Sequence, residues 1–358
     1  MTTETEINRL DLRGLTYKEL VLQVRSWGLP DYRARQLFPW LFRPGIESFA
    51  QMTDLSKDLR ARLEDVAMLS RLEIARREVS QDGTVKYGFR LADGEMIESV
   101  LIPEEDRTTL CVSSQVGCAM GCRFCMTATM GFRRNLTPSE IVNQILMVRD
   151  DLERQGKPPV VSNLVFMGMG EPLANFDHLI TALDILLDQR GLDFTDRRVT
   201  VSTCGLVPRM AALGRQVKVN LAVSLHAATD DLRDQLMPVN RTYPIATLLS
   251  ACREFPMPRR KRIMFEYILF AGVNDSENDA KALAKILRGI PCKINLLPYN
   301  ECPDLPFRRP PPETVAAFQE ILRQANYTVF VRDSRGADIA AACGQLASGT
   351  EPPSPPGG

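Results

Sequence analysis

From residue 109 onward the sequence alternates extended apolar runs with helical ones, and no other feature narrows the possible folds as much. "TLCVSSQV", "NLVFMGMG", "RVTVSTCG", "VNLAVSLHA", "RIMFEYILFAGV" and "KINLLPYN" read as strands. The segments between them read as helices. The clearest is "PSEIVNQILMVRDDLERQG", with Ile141, Ile145, Val148 and Leu152 on one face and a glycine after its last turn. Strand and helix alternating in this way predict a parallel sheet with right-handed crossovers, curled into a partial (β/α)6 barrel of the TIM type. A further strand, "YTVFVRDS", precedes "RGADIAAACGQL".

The residues before the alternation differ in kind. Residues 1–68 read as a small helical domain: "LTYKELVLQVRSWGLP" opens with a capping box, Thr16 to Glu19, and closes at Gly28 and Pro30, and two further helices begin near Asp31 and near Asp54 or Ser56. Residues 69–103 read as a β-hairpin extension, with Asp82-Gly83 and Asp93-Gly94 at its turns. The barrel domain then occupies 104–347, and the Pro/Gly-rich tail 348–358 is expected to be disordered.

Composition sets limits on function. Lys plus Arg equals Asp plus Glu at 44 each, which excludes a whole-protein attraction for nucleic acid but not local basic patches. The N-terminal stretch lacks the apolar core of a signal peptide, and no run approaches the ~20 apolar residues of a membrane span, so a cytoplasmic protein is expected. Nine cysteines, an odd count in a chain expected to meet a reducing environment, favour ligand or catalytic use over a disulfide framework.

In α/β sheets, ligands bind beyond the carboxyl ends of the strands. Five polar or Gly-rich signals fall there: the cysteine run after the first strand, then "GMGEP", "VSTCG", "SLHAATDD" and "PYN". Cys118, Cys122 and Cys125 form a C-x3-C-x2-C triplet. Thiolates bind iron–sulfur clusters or zinc, and three ligands on a four-iron cluster leave one iron open to a substrate or cofactor. A zinc site is the alternative, although the chain offers only His178 and His226 and no second C-x2-C.

The triplet, with Phe124 before its last cysteine, resembles the radical S-adenosylmethionine (SAM) superfamily. "CVSSQVGC", "GFRRNLTPSEIVNQ", "MGMGEPLAN", "LAVSLHA", "LMPVNR", "LPYN" and "RGADIAAACGQL" together resemble the RlmN/Cfr family of RNA adenosine methyltransferases, and within it the RlmN branch, from about residue 10 to 346. The resemblance implies a [4Fe-4S] cluster on Cys118, Cys122 and Cys125. It implies SAM contacts from Gly170, Glu171, Ser202, Ser224, Leu225, His226 and Asn300. Cys343 matches the cysteine that is methylated, Cys111 the second catalytic cysteine, and Glu98 the proposed proton acceptor. The family chemistry uses two SAM molecules. One methylates Cys343. The other is cleaved reductively at the cluster, and its adenosyl radical activates the S-methyl group for addition to adenine C2. Glu98 then accepts the C2 proton, and Cys111 attacks the Cys343 sulfur to release product, leaving a disulfide.

The implied substrates are 23S rRNA, at the peptidyl-transferase centre, and tRNA, at the adenosine 3′ of the anticodon, with flavodoxin or ferredoxin as electron donor, no membrane partner and a monomeric chain. Cfr-type methylation at adenine C8 and a non-catalytic iron–sulfur or zinc RNA module are the rivals. RNA contacts are expected from "PMPRRKRI", from "GFRRN", and from "DYRARQLFPW", where Arg33 and Arg35 alternate with Tyr32, Phe38 and Trp40. Cys204, Cys252, Cys292 and Cys302 read as structural, and His178 as a solvated or capping residue. One geometric difficulty stands out. Seven residues of straight strand span roughly 23 Å, whereas a disulfide needs Cα atoms within about 7 Å. Cys111 should therefore lie deeper in the barrel than the cluster, or its strand should bend before Gly117.

Overall fold

The computed structural model describes residues 9–257, 261–302 and 305–347. The tail 348–358 lies outside these, as do Arg259 and Arg260 of the basic loop.

In the N-terminal part the capping box forms in full on helix Tyr17–Ser26: the Glu19 N–H donates to Thr16 Oγ1 at 3.2 Å and the Thr16 N–H to Glu19 Oε2 at 2.8 Å. Asp31 does not cap helix Tyr32–Leu41. Its own backbone is already helical, and its carboxylate pairs instead with Arg25 Nε at 2.7 Å. Ser56 caps helix Lys57–Val66 by accepting the Leu59 N–H. Leu20, Val24, Leu37, Phe38, Leu41 and Leu63 fill the space between these helices, and β1 (Leu10–Asp11) pairs in parallel with β2 (Ala67–Met68), joining the two ends of the unit. The buried Arg13 ties this unit together: its guanidinium donates to Leu41 O at 3.0 Å, Ile46 O at 2.6 Å and Ser70 O at 2.8 Å.

Strands β3 (Glu73–Val79), β4 (Val85–Arg90) and β5 (Met96–Pro103) form an antiparallel ribbon. Gly83 and Gly94 take φ of 84° and 85° at its turns, a region that favours glycine. The ribbon is not a separate layer. β5 pairs antiparallel with β6 (Thr108–Cys111), so it extends one edge of the large sheet.

Beyond β6, β7 (Gln115–Gly117) and β8 (Phe132–Asn135) make a small sheet of their own. The parallel series continues with β9 (Asn163–Phe166), β10 (Val199–Thr203), β11 (Asn220–Ser224), β12 (Ile263–Leu269), β13 (Cys292–Pro298) and β14 (Val329–Val331). The ten-stranded sheet runs β14-β13-β12-β11-β10-β9-β6-β5-β4-β3. The six expected barrel strands are there in sequence order, and the short seventh lies beside the sixth. Helix Pro138–Arg154, the first crossover, buries Ile141, Ile145, Val148 and Leu152 and starts at a complete Thr137–Glu140 capping box.

The strand expected over residues 109–116 is broken. β6 stops at Cys111, and the chain then turns over the end of β9: the Ser114 N–H donates to Met169 O at 2.8 Å and the Gly168 N–H to Val112 O at 3.1 Å. A Cβ on Gly168 would stand 2.8 Å from the Val112 carbonyl, so this crossing requires glycine there. Of the two outcomes expected for Cys111, the chain takes the bend.

After β14, residues 332–347 cross to the opposite edge of the sheet. The Gly336 N–H donates to Asp82 Oδ2 at 3.0 Å, and Ser80 Oγ donates to Asp338 Oδ1 at 2.6 Å. The seam between β14 and β3 is thus spanned by a strap rather than by strand pairing.

Candidate active site

One cavity opens at the carboxyl ends of the parallel strands. The loop after β7 supplies Cys118, Cys122 and Cys125; the turn after β9 supplies Gly170 and Glu171; β10, β11 and the residue pair after it supply Ser202, Ser224 and His226; and the strap supplies Cys343. Leu225 is buried beside it with its side chain in the core, and Asn300 is half-buried after β13; neither lines the cavity. Glu98, on β5, and Cys111, on the adjoining β6, are buried and do not line it.

The cysteine loop is shaped by two glycines in the left-handed region. Gly117 has φ 71°, and a Cβ there would meet Gly131 O at 1.8 Å; the same carbonyl accepts the Cys118 N–H at 2.9 Å. Gly170, at φ 97°, would place a Cβ 2.5 Å from Gln115 Cβ. Phe124 packs edge-on against the His226 ring, with centroids 5.0 Å apart, and against Phe270 at 5.4 Å. The aromatic in the triplet therefore braces the loop against the barrel floor.

Burial pushes the Cys118 thiol up to about 12 and raises Cys122 well above the ordinary thiol value, with the neighbouring thiols adding to both. Thiols held protonated in this way suit a site where metal displaces the protons. Among the described residues no three His, Cys, Asp or Glu stand close enough for one metal ion. A cluster does not need that, since each iron takes its own thiolate.

Glu171 is fully enclosed. Its oxygens accept the Cys204 N–H at 2.8 Å and the Leu173 N–H at 3.0 Å, and burial raises its pKa. A carboxylate oxygen can accept more than one hydrogen bond, so Glu171, which lines the cavity, retains acceptor capacity. His226, at φ 57°, accepts the Ile268 N–H on Nδ1 at 3.1 Å, and burial, then the Arg233 charge, lowers its pKa to about 3. The ring is neutral, with Nδ1 as acceptor and Nε2 carrying the proton.

Cys343 exposes surface to the cavity while protein encloses the thiol, which burial and then the Glu266 carboxylate push up to about 11. The Cys111 thiol is raised by burial and next by Cys343, so the two sulfurs lie within electrostatic reach, and both are free thiols. Glu98 accepts the Ala347 N–H at 3.0 Å; burial raises its pKa against the lowering effect of Lys86.

Three participants were not picked out as site residues. Glu266, on β12, lines the cavity and accepts from Asn295 Nδ2 at 2.9 Å, with burial raising it to about 7. The alternation in "IMFEYIL" could have found it, since a glutamate between apolar neighbours in a central strand must face something enclosed. Arg233 is fully buried and donates to Leu225 O, Ser224 O, Cys204 O and Asn240 Oδ1; its setting in "DDLRDQL" looks like a solvated helix face. Cys204, read as structural, also lines the cavity.

The expected RNA-contact patches fare differently. In "GFRRN", Arg134 is held by Asp93 and Glu140, and Arg133 by Glu95. Phe38 is core rather than surface, packed edge-on against Tyr17. Tyr32 is exposed with Arg33 4.8 Å over its ring, and Arg35 is exposed beside them. His178, exposed, sits with Nδ1 2.9 Å from Leu136 O.

Comparison with known proteins agrees with this geometry. Residues 10–69 match the model of the ribosomal RNA large subunit methyltransferase N-terminal domain, and residues 112–284 that of the radical SAM superfamily. The chain is 55% identical over 353 residues to a dual-specificity RNA methyltransferase RlmN from Desulfotalea psychrophila, covering 97% of both chains. It is 56% identical to one from Geobacter sulfurreducens, covering 94% of this chain and 92% of that one. A crystal structure of a radical SAM methyltransferase from Sphaerobacter thermophilus superposes with a TM-score of 0.89 at 46% identity, covering 94% of this chain and 99% of that one. The chain belongs to the RlmN family of radical SAM RNA methyltransferases.

Proposed function

We propose that the protein methylates C2 of adenosine in 23S rRNA and in tRNA, using Cys343 as the methyl carrier. The observation that carries this reading is the presence of Cys343 on the same cavity as Cys118, Cys122 and Cys125, with the buried Cys111 within its electrostatic reach.

As a radical SAM enzyme it works with SAM and a [4Fe-4S] cluster, which supply the methyl group and the one-electron chemistry. The donor set fits that pair: three thiols on one short loop for the cluster, and beside them the Glu171 carboxylate, the serine hydroxyls of Ser202 and Ser224, and the neutral His226 ring. In this reading Cys118, Cys122 and Cys125 hold the cluster, and Gly170, Glu171, Ser202, Ser224, Leu225, His226 and Asn300 hold SAM. The Cys343 sulfur takes the methyl group as nucleophile; with its thiol pushed up to about 11, it needs a cation nearby to ionise. Glu98, raised by burial, takes the proton from C2, and Cys111 resolves the bond to Cys343.

Residues 1–68 serve as the RNA-binding accessory unit with Tyr32, Arg33 and Arg35 at its surface, 69–103 as the extension carrying Glu98, and 104–347 as the catalytic domain. The electron donor is a small one-electron carrier such as flavodoxin or ferredoxin, and the enzyme acts in the cytoplasm as a monomer. Among the described residues no helix is long and apolar enough to cross a membrane. The test is mass spectrometry of digested 23S rRNA and tRNA from cells with and without the gene. Loss of 2-methyladenosine on deletion is expected; loss of 8-methyladenosine instead would overturn the C2 assignment.

A further inference from the structure

Besides its ties at Ser80 and Asp82, and those from the Met126 N–H to Gly344 O and from Thr127 Oγ1 to Leu346 O, both at 2.7 Å, the strap is bonded to the ribbon strands β4 and β5 at two points placed evenly about Cys343. Lys86 Nζ donates to Ile339 O at 2.6 Å, four residues before the cysteine, and Glu98 Oε2 accepts the Ala347 N–H at 3.0 Å, four residues after it. The two side chains stand on neighbouring strands. Lys86 lies opposite Val100 and Glu98 opposite Gly88, so they are diagonal neighbours on one face of the ribbon. Their charged atoms, Nζ and Oε1, are 4.0 Å apart, and the side chains are only 7% and 4% exposed.

A third charge makes the two points unequal. Glu78, directly opposite Lys86 on β3, approaches Nζ at 2.8 Å and is 32% exposed. Lys86 is therefore balanced by Glu78 whether or not Glu98 is ionised. Arg76, also on β3, is the other charged group acting on Glu98, and the strap presents only backbone at Ile339 and Ala347.

We propose that Lys86 is a positioning residue for Cys343, anchoring the strap at Ile339 throughout the reaction, while Glu98 anchors it at Ala347 only until it takes the substrate proton. This rests on Glu98 being the acceptor of the adenine C2 proton. In that step the C–H bond breaks, its electrons stay with the base, and an O–H bond forms on Glu98. The neutral carboxyl then loses the charge-assisted part of its bond to the Ala347 N–H. The Lys86 contacts to Glu78 and Ile339 O are untouched. Proton arrival thus loosens the downstream tie of the strap to the ribbon while Ile339 stays anchored and Met126 and Thr127 still hold Gly344 O and Leu346 O, a local slackening that favours movement of the Cys343 sulfur toward Cys111 after carbon–carbon bond formation.

Hydrogen exchange of the cluster-reconstituted full chain, read on overlapping peptides across 336–347, tests this. Lys86→Met should speed exchange at the Ile339 end by about tenfold, the loss of one charge-assisted hydrogen bond, and change the Ala347 end less. Lys86→Arg, which keeps charge and donors, should restore protection at the Ile339 end; failure to do so counts against the anchor. Glu98→Gln, a neutral mimic of the protonated acid, should do the opposite, speeding exchange at residues 344–347 and sparing 336–341. Equal speeding of both ends in either variant, or no change in either, overturns the proposal. Should Lys86→Met also loosen Ile263–Leu269, the Glu98→Gln arm decides by the same criteria. RNA methylation by Glu98→Gln judges the underlying reading separately: full turnover would remove the proton-acceptor role, whereas exchange alone judges the anchors.

Discussion

The guanidinium of Arg233 donates to the carbonyl oxygen of Cys204 at 2.7 Å, and so fixes the end of β10 from inside the barrel. The same group holds the last residue of β11 through Ser224 O at 3.0 Å and the Leu225 carbonyl at 3.1 Å. Replacing it with methionine leaves these acceptors buried and unpaired. Arg233→Met should destabilise the protein by at least about 3 kcal/mol, since each orphaned acceptor costs ~1–3 kcal/mol. Urea melts check this, and a loss below 1 kcal/mol would show that water replaces the guanidinium without penalty.

Gly117 makes a second, purely steric prediction. At φ 71°, with a Cβ 1.8 Å from Gly131 O, no side chain fits unless the cysteine loop moves away from β8. Gly117→Ala should leave the barrel folded but cut iron incorporation on reconstitution, because Cys118 follows directly. Unchanged iron per chain would mean that the loop geometry is not required for the cluster.

Glu266 links stability to pH. Its folded carboxyl titrates at about 7 against 4.5 for an ordinary glutamate, because it is buried. The protonated form is favoured in the folded state, so its contribution is full below pH 4.5 and is lost as pH rises through 7. Glu266→Gln removes that dependence. The stability of the variant relative to wild type should rise between pH 4.5 and pH 8 by about 3 kcal/mol, at 1.36 kcal/mol per unit. Parallel urea denaturation at the two pH values measures it; a constant difference would place the carboxyl at its ordinary value.

The cavity-lining Cys343 and the buried Cys111 should fail differently. Cys343→Ala removes the proposed methyl carrier and should abolish RNA methylation while leaving reductive SAM cleavage, because Cys118, Cys122 and Cys125 are untouched. Cys111→Ala should accumulate a covalent protein–RNA adduct, seen as a shifted band on denaturing gels. Absence of that band from an otherwise active preparation would contradict the resolving role of Cys111.

Local signals predicted local structure well. The capping box at Thr16, the Asp-Gly turns and the apolar stripe of helix Pro138–Arg154 each depend on neighbours within a few residues, and each formed as read. The cysteine triplet and "GMGEP" were placed on one rim by the rule that strand ends carry the site, and both line the cavity. What stayed hidden depended on partners far away in sequence. The break after Cys111 comes from the crossing at Gly168. Arg134 looked available until Asp93 and Glu140 closed on it. Arg233 and Lys86 look like surface charges because nothing in their own segments reveals the carbonyls that enclose them.

The strap also sets an order of events for a chain leaving the ribosome. Every other wall of the cavity is complete once β13 has been made, yet Cys343 joins it only when residues 336–347 reach back to Asp82, Lys86 and Glu98, about 250 positions earlier. Contacts of such long sequence separation form late. A nascent chain can therefore assemble its cysteine-triplet loop well before Cys343 reaches the cavity.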